Sequence, residues 1–151
     1  MSWIAITVDT LNEAKIAKLI SAADSKALAV GQAGRATGII QGVVDDIRRK
    51  VASNIINRVD ADLTTIPKGL RDLAVDLIIA RLKVAIEMDL SEDERRQVSR
   101  RNQELDRIAD AKDVIDQPDN PIDSPVQKGA AVEVASSIPR KATQEKMGGL
   151  I

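Results

Sequence analysis

The sequence predicts an all-α fold: a small bundle of about four helices with an extended, Pro-rich C-terminal arm. Three observations lead there. Apolar residues recur at helical spacing in successive segments up to about residue 114. Four of the five prolines (Pro118, Pro121, Pro125, Pro139) fall after residue 115, among scattered single apolar residues. With 151 residues, the chain suits one domain plus an appendage and is too short for two well-cored domains. The expected division is a helical domain over 1–114 and an arm over 115–151.

Residues 1–9, with Trp3, Ile4, Ile6 and Val8, read as an extended lead-in. Trp3, the one aromatic residue, is expected to cap the end of the core, with an interface anchor as the other reading. Asp9 or Thr10 then starts a first helix over about 10–23, carrying Leu11, Ile16, Leu19, Ile20 and Ala23. The Gly-punctuated stretch at 24–37 reads as a connection. Its glycines, Gly31 and Gly34, with Gly38 beyond, match neither phosphate-loop spacing. A second helix over about 38–59 places Ile40, Val43, Val44, Ile47 and Val51 on one stripe, with Asp45, Arg48, Arg49 and Lys50 mostly off it. Gly42 within it marks a possible close approach of a neighbouring backbone.

Pro67 suits the first position of a third helix over about 67–88. This helix is apolar on two faces: Leu70, Leu73, Leu77, Val84 and Met88 form one, and Val75, Ile79, Leu82 and Ile86 the other. The second face is expected to pack either in the core or against another subunit. Arg81 falls on the first face and should either pair with a carboxylate, Asp45 or Asp46 being candidates, or lie at the edge of the face with only its stem buried. Ser91 through Glu94 forms a capping-box signature for a fourth helix over about 92–114. That helix has a thin apolar stripe (Val98, Leu105, Ile108, Ala109). Its Arg96, Arg100 and Arg107 read as a solvated face or subunit contact rather than a phosphate stripe.

The inventory also excludes chemistry. There is no Cys, His, Tyr or Phe, so Cys–His and Ser–His–Asp nucleophiles, imidazole acid–base catalysis and Cys/His zinc sites are ruled out. Three carboxylate pairs, Asp45/Asp46, Asp60/Asp62 and Asp72/Asp76, remain as possible acid–base or cation groups. Each sits on a strip beside Lys or Arg with no Gly-rich loop. No catalytic, metal-binding or cofactor-binding residue is assigned, and the chain is not expected to be an enzyme. A net charge of -1 gives no overall attraction to nucleic acid or anionic membrane. The N-terminus, MSWIAITVDTLNEAK, lacks signal-peptide character, and the chain reads as soluble and intracellular.

The segments LNEAKIAKLI, IIQGVVDDIRRKVASNII, IPKGLRDLAVDLIIARL and SEDERRQVSRRNQELDRIA together resemble the small helical head-to-tail adaptors of tailed bacteriophages, in particular the Mu-like group. In that family an Asp–Ile pair on one helix leads through a short loop to Pro, then Leu, then a helix ending Ala–Arg–Leu. The matching residues here are Asp46, Ile47, Pro67, Leu70, Asp76, Ala80, Arg81 and Leu82, and the likeness spans about residues 3–112. It departs at Asn57-Arg58-Val59, where such proteins often carry Tyr, and in the length of the arm.

The resemblance implies a structural virion protein of the phage neck, made in the host cytoplasm. It would form a homo-oligomeric ring, commonly of twelve copies, joining the portal protein to the next neck or tail protein. DNA would only pass through its channel, and no cofactor or membrane is implied. Alternatives are a stopper or tail-completion protein of the same neck, or a small helical DNA-binding regulator. The expected arm anchors to portal or neighbour are Ile122, Val126, Val132, Val134, Ile138, Leu150 and Ile151. On this reading, a chain ended at Asp116 keeps its helical fold and loses attachment.

Overall fold

A computed structural model describes residues 1–11, 13–26 and 34–122. The predicted all-α class is what it shows, with one short two-stranded sheet added. The elements run β1 (Trp3–Ala5), α1 (Ala14–Ser25), α2 (Arg35–Ser53), β2 (Thr65–Pro67), a 3-10 turn (Lys68–Leu70), α3 (Arg71–Ala85) and α4 (Glu92–Ala109).

Polar contacts define how the helices lie. Glu13 meets Arg71 where α1 and α3 begin, and Lys26 Nζ donates to the Ile86 carbonyl where both end, so α1 and α3 are parallel. Asp46 on α2 pairs with Arg81 late in α3, and Lys83 pairs with Glu94 early in α4. Lys50 of α2 reaches Asp106 of α4, so α2 and α4 run together and opposite to the first pair. One end of the bundle therefore holds the C-termini of α1 and α3 with the N-termini of α2 and α4. The other end holds the sheet, the 54–65 connection and residues 110–122.

Helix α3 packs against α1, α2 and α4, just as α2 packs against the other three. The second apolar face of α3 is covered within the chain: Leu82 and Ile86 are buried, and Val75 and Ile79 half-buried. The first face departs from expectation at its end, because Val84 is 62% and Met88 48% exposed. Helix α3 stops at Ala85, and Glu87 adopts a left-handed conformation (φ 61°) that lets the Met88 amide bond back to the Lys83 carbonyl at 2.9 Å. Met88 thus leaves the helical register. The same device ends α4 at Ala109 rather than 114: Ala111 has φ 61°, and the Lys112 amide donates to the Arg107 carbonyl at 2.9 Å. Glycine is the usual residue at this position, and neither helix carries one.

Pro67 is likewise not the first helical residue. It is extended (ψ 133°) and closes the antiparallel pairing of β1 with β2, Trp3 opposite Pro67 and Ala5 opposite Thr65. A proline at the end of a short ladder costs little, because its missing N–H is not needed there. The second helix ends at Ser53, not 59, where Asn54 turns extended and its side chain donates to the Ile108 carbonyl at 3.3 Å. Asp24 of α1 caps α2, its carboxylate accepting from the Ala36 amide at 2.9 Å. Gly42, expected to mark a close approach of a neighbouring backbone, faces none: a Cβ there would lie 3.6 Å from Arg81 Nη1, an ordinary contact distance, so the packing does not require glycine at this position.

Arg48, expected off the apolar stripe, is only 7% exposed. Its Nη1 donates to the carbonyls of Asp62 and Thr65 at 2.8 Å each, and its Nη2 to that of Asp60 at 2.6 Å. The guanidinium also lies 5.5 Å from the centre of the Trp3 ring. Burial pulls its pKa below the ordinary value, with Asp60, Asp45 and Asp62 acting against this, and the side chain stays charged.

Trp3 caps the core as expected: it is buried, and its indole N–H donates to the Asp116 carbonyl at 2.8 Å. That bond draws residues 114–122 across the sheet end as a strap. Ile115 is buried, the Ala61 amide donates to the Asn120 carbonyl at 2.9 Å, and the Ile122 amide donates to the Val59 carbonyl at 2.9 Å. The expected boundary at 114 therefore falls inside the described fold, and ending the chain at Asp116 would strip most of the strap from the domain. Replacing Ala111 by Gly removes the left-handed penalty of about 1 kcal/mol and should raise the urea midpoint at unchanged m-value; an equal or lower midpoint would contradict the assignment of this turn.

Candidate functional site

The three carboxylate pairs serve structure. Asp62 accepts from the Thr64 amide at 2.9 Å and from its hydroxyl, and Asp60 accepts from the Asp62 amide, which builds the turn whose carbonyls bind Arg48. Asp46 is taken by Arg81 and Arg49, and Asp45 accepts from Gln41. Asp76 accepts from Arg101 at 2.8 Å and Gln97 at 2.9 Å, while Asp72 stands 3.9 Å from Arg71. Among the described residues no group of His, Cys, Asp and Glu is arranged to hold a metal ion. On α4, Arg96 pairs with Glu92 and Arg107 with Asp113, which leaves Arg100 exposed on the outer face.

Exposed apolar side chains lie at both ends of the bundle. At the sheet end, Ile55 and Ile56 follow α2 in a turn, 73% and 72% exposed, and Val114 stands at the start of the strap. The opposite end is more structured. There the left-handed Glu87 turns the chain out of α3, and Ser91 starts α4 through a complete capping box: its hydroxyl accepts from the Glu94 amide, and Glu94 accepts from the Ser91 amide. The connection between them displays Val84, Met88 and Leu90 around a shallow depression rimmed by Glu87, Asp89 and Arg95. Leu90 also walls a neighbouring cavity of about 210 Å³ floored by Ile79, Ala80 and Val98. Leu90 lines both hollows, which together are termed the groove.

The groove wall is held by ion pairs. Lys83 and Glu94, with side chains 15% and 32% exposed, link α3 to α4. The Lys83 hydrogen bond, followed by that of the Ser91 amide, holds the Glu94 carboxyl below its ordinary value of 4.5. Arg101, hydrogen-bonded to Asp76 and then to Glu104, has its pKa raised.

Of the residues the sequence singled out, Ile79 floors the groove, Val75 is half-buried beside the core, and Leu82 and Ile86 are core. Ile122 is half-exposed at the end of the strap. Val126, Val132, Val134, Ile138, Leu150 and Ile151 lie outside the described residues. Sequence reasoning missed the groove because Met88 leaves the helical register where α3 stops at Ala85, and because Val84, still helical, is 62% exposed. It missed Ile55 and Ile56 because the second helix was expected to continue through them.

Comparison of the chain with protein-family models, with curated proteins and with solved structures finds no match. No helix among the described residues is long and apolar enough to cross a membrane.

The lowered pKa of Glu94 gives stability that is present above its ordinary value and lost as pH falls through the folded value. Asp62 and Asp119 are lowered too, each first by a backbone hydrogen bond, from Thr64 and Ser2 respectively. Urea midpoints measured from about pH 6 to about pH 3 should therefore fall, and fall less steeply in Glu94→Gln; parallel curves would remove Glu94 from the acid response.

Proposed function

We propose that this chain is a structural ring subunit of a tailed-phage neck, joining the portal protein to the tail and leaving a channel for DNA. The observation that carries this reading is the placement of exposed apolar side chains at opposite ends of the bundle, Val84 and Met88 at one and Ile55, Ile56 and Val114 at the other. Two different surfaces that meet in successive copies make a heterologous contact, and such contacts close into rings when the rotation allows. The resemblance of the four helical segments to head-to-tail adaptors supplies the neck, the portal partner and the expected twelve copies.

Internal charge pairing is consistent with a scaffold through which DNA passes without being held. Most cations on α2, α3 and α4 are matched by carboxylates of the same chain. The arm after the strap would complete the attachment to the portal or to a neighbouring copy.

Sedimentation velocity of the purified chain, alone and with purified portal rings, tests this. The expected result is a discrete multiple of the 16.3 kDa subunit that co-sediments with the portal. A chain that stays monomeric in both samples, or one that binds duplex DNA in a salt-sensitive manner as a monomer, would overturn it.

A further inference from the structure

At the end of α4 the local sequence and the backbone point in different directions. No Gly or Pro stands between Asp110 and Gln117 to stop a helix, and the apolar spacing continues, because Ile115 falls seven residues after Ile108 and so on the same face. The chain nevertheless reverses at Ala111, whose φ of 61° is a left-handed conformation that a residue with a Cβ adopts at a cost. Returning this one residue to the helical region relieves that cost and lets α4 run on to Asp116, where the approach to Pro118 ends it.

The strap laid down by the reversal is held mainly by polar bonds. Ile115 and Pro118 are its buried residues. The Trp3 indole holds the Asp116 carbonyl, the Gln117 side chain accepts from the Arg58 amide at 3.0 Å, and the Asp119 carboxylate accepts from the Ser2 amide at 3.1 Å. A hollow of about 360 Å³ separates residues 113–116 from Pro67, Gly69 and Leu70, so the strap arches over this part of the sheet end instead of packing on it. Bonds of this kind are exchanged for bonds to water on release, at a modest net cost each. The extended helix carries costs of its own. It uncovers Ile115, and it sets Asp110, Asp113 and Asp116 at a helix C-terminus, where the dipole disfavours negative charge.

We propose that Ala111 is the hinge of a two-state element. In the closed form, described above, the strap is latched on Trp3; in the open form α4 continues through Asp116 and lifts the strap from the sheet end. Opening adds seven residues and about 10 Å to α4. It frees the Trp3 indole, brings Ile115 to the end of the bundle where Ile55 and Ile56 are exposed, and moves the exit of the chain from the Val59 edge to the tip of the helix. The free chain is closed, because Ile115 and the three carboxylates oppose extension. A partner that covers Ile115 or brings positive charge to the helix end shifts it open. The device belongs to the single chain and stands apart from the ring reading.

The test compares the full-length wild type with Ala111→Val, Ala111→Gly and Trp3→Phe by the Cα chemical shifts of residues 110–116, with Trp3 emission as a second readout. Valine is the harder residue to hold at positive φ and glycine the easiest, whereas Trp3→Phe keeps a ring over Arg48 and removes the latch. Ala111→Val and Trp3→Phe should move residues 110–116 to helical shifts, and Ala111→Val should also shift Trp3 emission to the red. Ala111→Gly should stay closed, and the open-to-closed ratio should differ by about ten-fold or more between the Val and Gly variants. Either opening variant, with the shifts of α1–α3 intact, overturns the proposal if residues 110–116 are unchanged, or if they take coil shifts, which is fraying without a helix. Should Ala111→Val disturb α1–α3, Trp3→Phe decides alone by the same reading.

Discussion

The buried guanidinium of Arg48 is the constraint on which the rest of the sheet end depends. Three backbone carbonyls, from Asp60, Asp62 and Thr65, converge on it, and a connection of this length has no helix or long ladder to satisfy them. A charged donor gives each bond more strength than a neutral one, and the planar fork reaches all three at once in a way an ammonium could not. The cost of burying the charge is offset by those carbonyls, by the Trp3 ring and by the field of Asp45, Asp60 and Asp62.

From that point the order spreads outward. Fixing the Thr65 carbonyl sets the register of β2 against β1, which holds Trp3 over the guanidinium. The indole N–H then fixes Asp116, and the strap follows along Val59 and Ala61 to Ile122. The direction in which the arm leaves the domain is thus a consequence of one arginine on α2. At the other end the geometry is set differently, by the left-handed Glu87 and the Ser91 capping box, which together turn the chain from α3 into α4 and leave Met88 exposed beside Val84 on the last turn of α3. The groove and the arm exit are therefore held apart by the length of the bundle.

Features whose partners are other side chains, or whose signal lies within a few residues, were legible in the sequence. The capping box at Ser91 and the pairing of Arg81 with Asp46 are of this kind; the burial of Trp3 was legible from its being the one aromatic residue, although its partner, the Asp116 carbonyl, was not. Arg48 was not, because its partners are backbone carbonyls, which leave no trace in residue identity. The ends of α3 and α4 were misplaced because Glu87 and Ala111 occupy left-handed positions where a glycine would have marked the stop. Pro67 reads equally well as a helix start or a strand end, and the choice is made by β1, more than sixty residues away. Covering of the third helix on both faces was anticipated; its own bundle covers the second face and the Leu70, Leu73 and Leu77 part of the first, while Val84 and Met88 stay exposed.

Trp3 is the only aromatic residue, so its fluorescence reports this one site without interference. The most direct test of the arginine-centred account compares wild type with Arg48→Met by tryptophan emission and helical circular dichroism. The account predicts emission shifted to the red as the strap and β1 loosen, retained helical signal in buffer, and a loss of about 2–4 kcal/mol in urea. Unchanged emission together with an unchanged urea midpoint would contradict it.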